Sequence, residues 1–163
     1  MIFVECKPDH ALISRLTSVS KQRIEHSFGK TSVLGKLVRR SGSSYENSVG
    51  MVDQDPLSYQ PKIIKEFTES EIISEFGIRI LYYKWLNNRV VVLCPKLEDW
   101  IIEAARESGV DMSKYDLPKE AERLHQVINL NIDKFEKLIE VLMEKSARIQ
   151  KLRQIIEGKQ KGS

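Results

Sequence analysis

Two short apolar runs, IFV at 2–4 and VGMV at 49–52, each stop on an acid: Glu5 after the first, and Asp53 with Asp55 after the second. This pattern constrains the fold more than any other feature of the chain. Each run has the length and β-branched content of a buried strand. The first leads through Pro8 and Asp9 into DHALISRLT, whose Leu12, Ile13 and Leu16 share a helix face. Strands joined by helices pair in parallel, so the early part of the chain reads as an α/β sheet.

The rest of the chain extends this reading. Residues 20–38 are expected to be largely helical, and SGSSYENS a loop. Ile63, Ile64, Phe67, Ile72, Ile73 and Phe76 have helical spacing, with Gly77 as the stop. IRILYYKWL and RVVVLCP, separated by Asn87-Asn88, form an antiparallel pair. LEDWIIEAARESG is a helix ending at Gly109, and Pro118–Gly158 is helical with an interruption near Asn129–Asn131. The expected division is an α/β core over 1–115 and a helical C-terminal extension over 116–163. In the extension, Phe135, Leu138, Leu142, Ile149, Leu152 and Ile156 follow heptad spacing, with Lys145 as the exception. That stripe needs a partner surface, either the sheet or another chain, so a homo-oligomer or a partner protein bound through this helix is an expectation.

Composition excludes several classes. Two cysteines, Cys6 and Cys94, are too few for a secreted disulfide framework, and no spaced ligand set suggests zinc. Glu5 and Asp9 interrupt the apolar start, so it does not read as a signal peptide. No run approaches the roughly 18 apolar residues of a membrane span. A cytoplasmic protein without a membrane partner is expected. The net charge of +3 is unevenly spread: residues 15–40 carry +6, residues 145–161 carry +5, and 41–144 carry −7. Basic ends of this kind suit a polyanion, and they also occur as solvated helix faces.

Ligands of open α/β sheets collect at the carboxyl ends of the strands, where Glu5, Asp53 and Asp55 stand. Were the two strands neighbours, the three carboxylates would repel unless a cation offset them, and Mg²⁺ or Mn²⁺ takes such oxygen ligands. The alternative is three separate strand-end acids in solvent. FGKTS contains part of a phosphate-binding loop, but Ile24 stands where its first glycine is required and no apolar strand is read before it, so nucleotide binding is not expected there.

VECKPD at 4–9 with VGMVDQDP at 49–56 resembles the Toprim domain of bacterial primases, topoisomerases, small RNase-like proteins and OLD-type nucleases. VVVLCPKLEDW at 90–100 looks like the segment in small Toprim-like proteins where a strand leads through proline to an acidic helix start. The resemblance covers about residues 1–109. It implies a small Toprim-like sheet with flanking helices, Glu5, Asp53 and Asp55 as catalytic and metal-binding residues, and Glu98, or else Asp99, as a further acidic ligand. The family usually has glycine where this chain has Cys6, and again shortly after the aspartate pair, where this chain has Pro56-Leu57-Ser58. The implied function is Mg²⁺- or Mn²⁺-dependent phosphodiester chemistry on nucleic acid, with Lys7, Lys30, Lys36, Arg39 and Arg40 as phosphate contacts. Two alternatives remain: a non-catalytic Toprim-like protein that assembles through its C-terminal helix, and a HAD-like phosphatase with Asp53 as nucleophile.

Overall fold

Side chains alternate along the central strands between two apolar surfaces, and both surfaces are covered. The computed structural model describes residues 1–38 and 45–158, so residues 39–44, with Arg39 and Arg40 of the expected phosphate contacts and part of the expected SGSSYENS loop, lie outside the described residues. The strands are β1 (Ile2–Val4), β2 (Ile24–His26), β3 (Val49–Asp53), β4 (Thr68–Ile73), β5 (Ile78–Tyr83) and β6 (Asn88–Leu93). They make one six-stranded sheet in the order β2-β1-β3-β6-β5-β4. β2, β1, β3 and β6 run parallel, while β5 and β4 are antiparallel additions at one edge. The chain is therefore α/β with a mixed sheet and flanking helices.

Helix α2 (Lys30–Leu37) covers one face, where Leu34 and Leu37 pack with Phe3, Val52, Val90 and Val92. Gly50 is required there: a Cβ on it would lie 2.6 Å from Leu37 Cδ1 and 2.9 Å from Val33 Cγ1. The opposite face carries Val4, Met51, Val91 and Leu93. It is covered by α1 (Lys7–Leu16), α3 (Leu97–Glu107), α4 (Ala121–Leu130), α5 (Ile132–Lys145) and α6 (Ala147–Glu157). Among the described residues no helix is long and apolar enough to cross a membrane.

The C-terminal stripe is buried within the chain itself. Phe135, Leu138, Leu142, Ile149, Leu152 and Ile156 belong to the same apolar cluster as Val4 and Trp100. Polar contacts hold this packing in place: Arg15 of α1 bonds Glu136 and, at 2.7 Å, Glu140 of α5. Arg148, buried on α6, donates to Glu107 at 2.8 Å and lies 5.7 Å from the Trp100 ring centroid. The expected continuous helix breaks at Asn131, as the spacing suggests, and again at Ser146, whose hydroxyl accepts the Ile149 N–H.

Two expected helices are corrected. The 20–38 region contains β2, an edge strand paired with β1, before the short α2. The 63–76 region is a 3₁₀ segment at Lys62–Glu66, then β4, then a second 3₁₀ turn at Ser74–Phe76. Thr68–Ile72 are all exposed. Apolar residues spaced three to five apart fit a helical stripe in the sequence, but here pairing with the free edge of β5 determines the structure. Gly77, at φ 58, closes a 3₁₀ turn rather than a helix. The antiparallel β5–β6 pairing stands as read, but the turn is Lys84–Asn87, with Asn87 at φ 53, rather than Asn87-Asn88, and Asn88 is already the first residue of β6.

Candidate functional site

β1 and β3 are adjacent and parallel, with Val4 opposite Met51, so Glu5 and Asp53 emerge side by side at the same end of the sheet. Glu5 Oε2 accepts the Asp53 N–H at 2.7 Å, and Asp53 Oδ1 accepts the N–H of Leu97, first residue of α3, at 3.0 Å. The chain beyond Asp53 continues alongside β6: Gln54 N–H donates to Leu93 O and Asp55 N–H to Pro95 O, both at 2.8 Å. Asp55 then turns at φ 43, a left-handed conformation that Asp tolerates better than most residues. Its carboxylate lies 3.5 Å from Lys96 Nζ.

Glu5, Asp53 and Asp55 line one cleft of about 230 Å³ together with Lys30, Phe28 and Tyr59. Lys30 is the first residue of α2, and its ammonium donates to Gln54 O at 2.8 Å and to Gln60 Oε1 at 2.9 Å. Thus of the proposed phosphate contacts Lys30 lies in the cleft. Lys36 faces a neighbouring groove and is paired with Glu25, and Lys7 lines a separate depression with His10 and His26. Glu98 does not line the cleft. It is buried in the first turn of α3, with Oε1 2.7 Å from His125 Nδ1 of α4.

The electrostatics of this end of the sheet are those of crowded, buried acids. Burial, and then the charges of Asp9, Glu5 and Glu98, push the Asp53 carboxyl up to about 9, against the pull of the Leu97 N–H. Burial also raises Glu5, although the Asp53 N–H and Lys30 act in the opposite direction. Asp9 is fully enclosed and raised to about 7, chiefly by burial, and it accepts the Cys6 N–H at 3.2 Å and the Cys6 thiol at 3.1 Å. Lys30 is lowered by its burial even though the acids favour its charged form. Three carboxyls that resist ionisation in this way form a locus that a cation would stabilise.

Among the described residues no group of three or more His, Cys, Asp and Glu side chains is arranged to hold a metal ion. Glu5 and Asp53 each commit one oxygen to a backbone N–H, which leaves Glu5 Oε1 and Asp53 Oδ2 as the remaining donor atoms. Sequence reasoning missed Phe28 and Tyr59, which loops bring to the cleft, and Gln60 and Lys96, which bond its Lys30 and Asp55, and it treated Asp9 only as a helix start. Asp9 is in fact the reciprocal partner of Cys6 in a capping box, so its carboxyl points back toward the strand ends. The spacing Cys6-x-x-Asp9 could have shown this, because position N3 of a helix faces its own N-cap. Comparison with protein-family models, curated proteins and solved structures finds no match for this chain.

Proposed function

We propose that the cleft carries out divalent-metal-dependent phosphodiester chemistry on nucleic acid, with hydrolysis as the reaction. The observation that carries this reading is that Glu5, Asp53 and Asp55, from the ends of two neighbouring strands, line one cleft with Lys30. The order of these acids along the chain supports the Toprim-like resemblance. Their chemistry suits a hard ion: all-oxygen donors, of which Glu5 and Asp53 are disfavoured as carboxylates by burial. Asp53 and Asp55 would hold Mg²⁺ or Mn²⁺ with Glu5, and Glu98 would act from behind by its charge on Asp53. The bound ion would supply Lewis-acid polarisation of a phosphoryl oxygen and a more acidic water. Where it does not ligate the ion, Glu5, raised by burial, would instead serve as a general base that takes the proton of the attacking water at Oε1. Lys30 offers its charge to the phosphate from the first turn of α2.

A second reading has its own observation. Glu5 and Asp53 tie the ends of β1 and β3 to the start of α3 through two backbone bonds, so the acids could serve as a structural clasp in a non-catalytic binding protein. Incubating labelled single- and double-stranded DNA and RNA oligonucleotides with the protein in Mg²⁺, Mn²⁺ or chelator decides between them. Metal-dependent cleavage that Asp55→Asn abolishes is the expected result. No cleavage of any substrate with either ion leaves the clasp.

A further inference from the structure

Apolar side chains that the carboxylate chemistry does not use rim the acid cleft. Phe28 is 82% exposed and Tyr59 75% exposed, and both line the cleft. Leu57, in the same loop as Tyr59, is 100% exposed. Phe28 also sits at φ 53, a conformation that a bulky aromatic residue adopts only at an energetic cost. Burial does not offset that cost: the ring stacks against the His26 imidazole at 4.0 Å between centroids and otherwise stands in water.

Neither ring stands on a loose segment. The residues on both sides of Phe28 are bonded to the end of β1, Ser27 N–H to Val4 O at 2.8 Å and Gly29 N–H to Glu5 O at 3.2 Å. The Tyr59 loop is pinned by Gln60, whose Nε2 donates to Asp55 O at 2.9 Å and Ser58 O at 3.2 Å. Lys30 bonds both Gln60 Oε1 and Gln54 O, and so links the Phe28 side of the cleft to the Tyr59 side. Two exposed aromatic rings are held in place, one in strained backbone, beside a cleft of acids and a lysine.

We infer that Phe28 and Tyr59 are stacking platforms for unpaired nucleobases, and that the cleft takes single-stranded or locally unpaired nucleic acid. Every base has a π-face that an aromatic ring can cover, whereas in an intact duplex those faces are already stacked. A strand with bases on the two rings carries its phosphate between them, toward Lys30 and the acids. Beyond Phe28 the path continues into a groove of about 570 Å³ with Thr31, Ser32, Lys36, Val38 and Tyr45 on its walls, part polar, part apolar and again aromatic. A peptide partner would find rings around an acidic, polar floor rather than an apolar pocket. This inference depends on the phosphodiester reading for where the phosphate lies, but not for the binding itself.

The test is therefore run without metal. Fluorescence anisotropy in chelator at low salt measures binding of a labelled single-stranded oligonucleotide and of its blunt duplex to wild type, Phe28→Ala, Phe28→Trp, Phe28→Gly and Tyr59→Ala. Expected are preference for the single strand, a loss of about tenfold in each alanine variant, and retention in Phe28→Trp. The slope of log affinity against log salt should stay unchanged, because the rings touch bases and not phosphates. Phe28→Gly should bind as weakly as the alanine variant while melting no lower than wild type, since glycine adopts φ 53 without strain. Equal binding by wild type and both alanine variants, or no preference over duplex, or no binding at all, overturns the inference. Loss of affinity accompanied by a smaller salt slope does so as well. A failure of cleavage in Mg²⁺ with this binding pattern intact would count against the catalytic reading alone.

Discussion

Replacing Asp53 by asparagine alters almost nothing in shape but removes an ionisable group from the most crowded point of the acid cluster. The asparagine carbonyl can still accept the Leu97 N–H, and the Glu5 bond is to the backbone N–H of residue 53, which the substitution leaves in place. In the wild-type fold the Asp53 carboxyl is raised from its ordinary 3.8 to about 9. Below the lower value both folded and unfolded chains hold the proton, and the group has no effect. Between the two values the unfolded chain has lost it and the folded chain has kept it, so stability falls as pH rises. The slope is about 1.4 kcal/mol per pH unit for each retained proton. Asp9 adds its own slope up to about pH 7, in both proteins alike, and cancels in their difference. From pH 5 to pH 7 the variant should therefore gain on wild type by roughly 3 kcal/mol. At roughly 2–4 °C per kcal/mol, the two melting temperatures should separate by an additional 6–12 °C, roughly. Circular-dichroism melts at pH 5, 6 and 7 in chelator measure this. Parallel melting temperatures across that range would refute the argument that Asp53 is held un-ionised.

Further outcomes follow from the packing and the charge. Arg148→Ala should cost about 1–3 kcal/mol, because it removes a buried guanidinium that packs on Trp100 and donates to Glu107 and to the Glu75 carbonyl, and urea unfolding at pH 7 would register it. Gly50→Ala should destabilise by about 1–3 kcal/mol by pushing α2 away from β3, again read from urea unfolding; an unchanged midpoint would mean that Leu37 and Val33 move aside freely. Affinity for a single-stranded oligonucleotide should fall steeply with salt, and Lys30→Gln should reduce the slope by about one; a slope that stays the same would remove Lys30 from the phosphate path.

The sequence revealed the elements whose signals are local. β1, β3 and β6 are continuous apolar runs because both faces of a parallel sheet are buried, and an acid that ends such a run is visible without coordinates. Glu5, Asp53 and Asp55 could therefore be placed at the end of the sheet, and Lys30 was already among the candidate phosphate contacts. β2 and β4 were hidden because they are edge strands without a continuous apolar run, β2 being only three residues long and β4 exposed over Thr68–Ile72, and each is identified only by the strand it pairs with. The cis packing of the C-terminal stripe depends on the break at Ser146: it turns one long heptad pattern into two short helices that fold over α1 and α3. Phe28 and Tyr59 gave no signal, since an exposed aromatic in a loop acquires meaning only from what lies beside it. The position of Glu98 was legible, but its pairing with His125, 27 residues away, was not.

The central claim is that the three carboxylates form a divalent-ion site. Isothermal titration of Mn²⁺ into the protein at pH 7, in two buffers of different ionisation enthalpy, tests it most directly. An ion that displaces the proton held at Asp53 releases it to the buffer. The account predicts saturable binding, with heats that differ between the buffers by about one proton per ion, and no binding by Asp55→Asn. Heats equal to dilution, or identical titrations of wild type and Asp55→Asn, would contradict it.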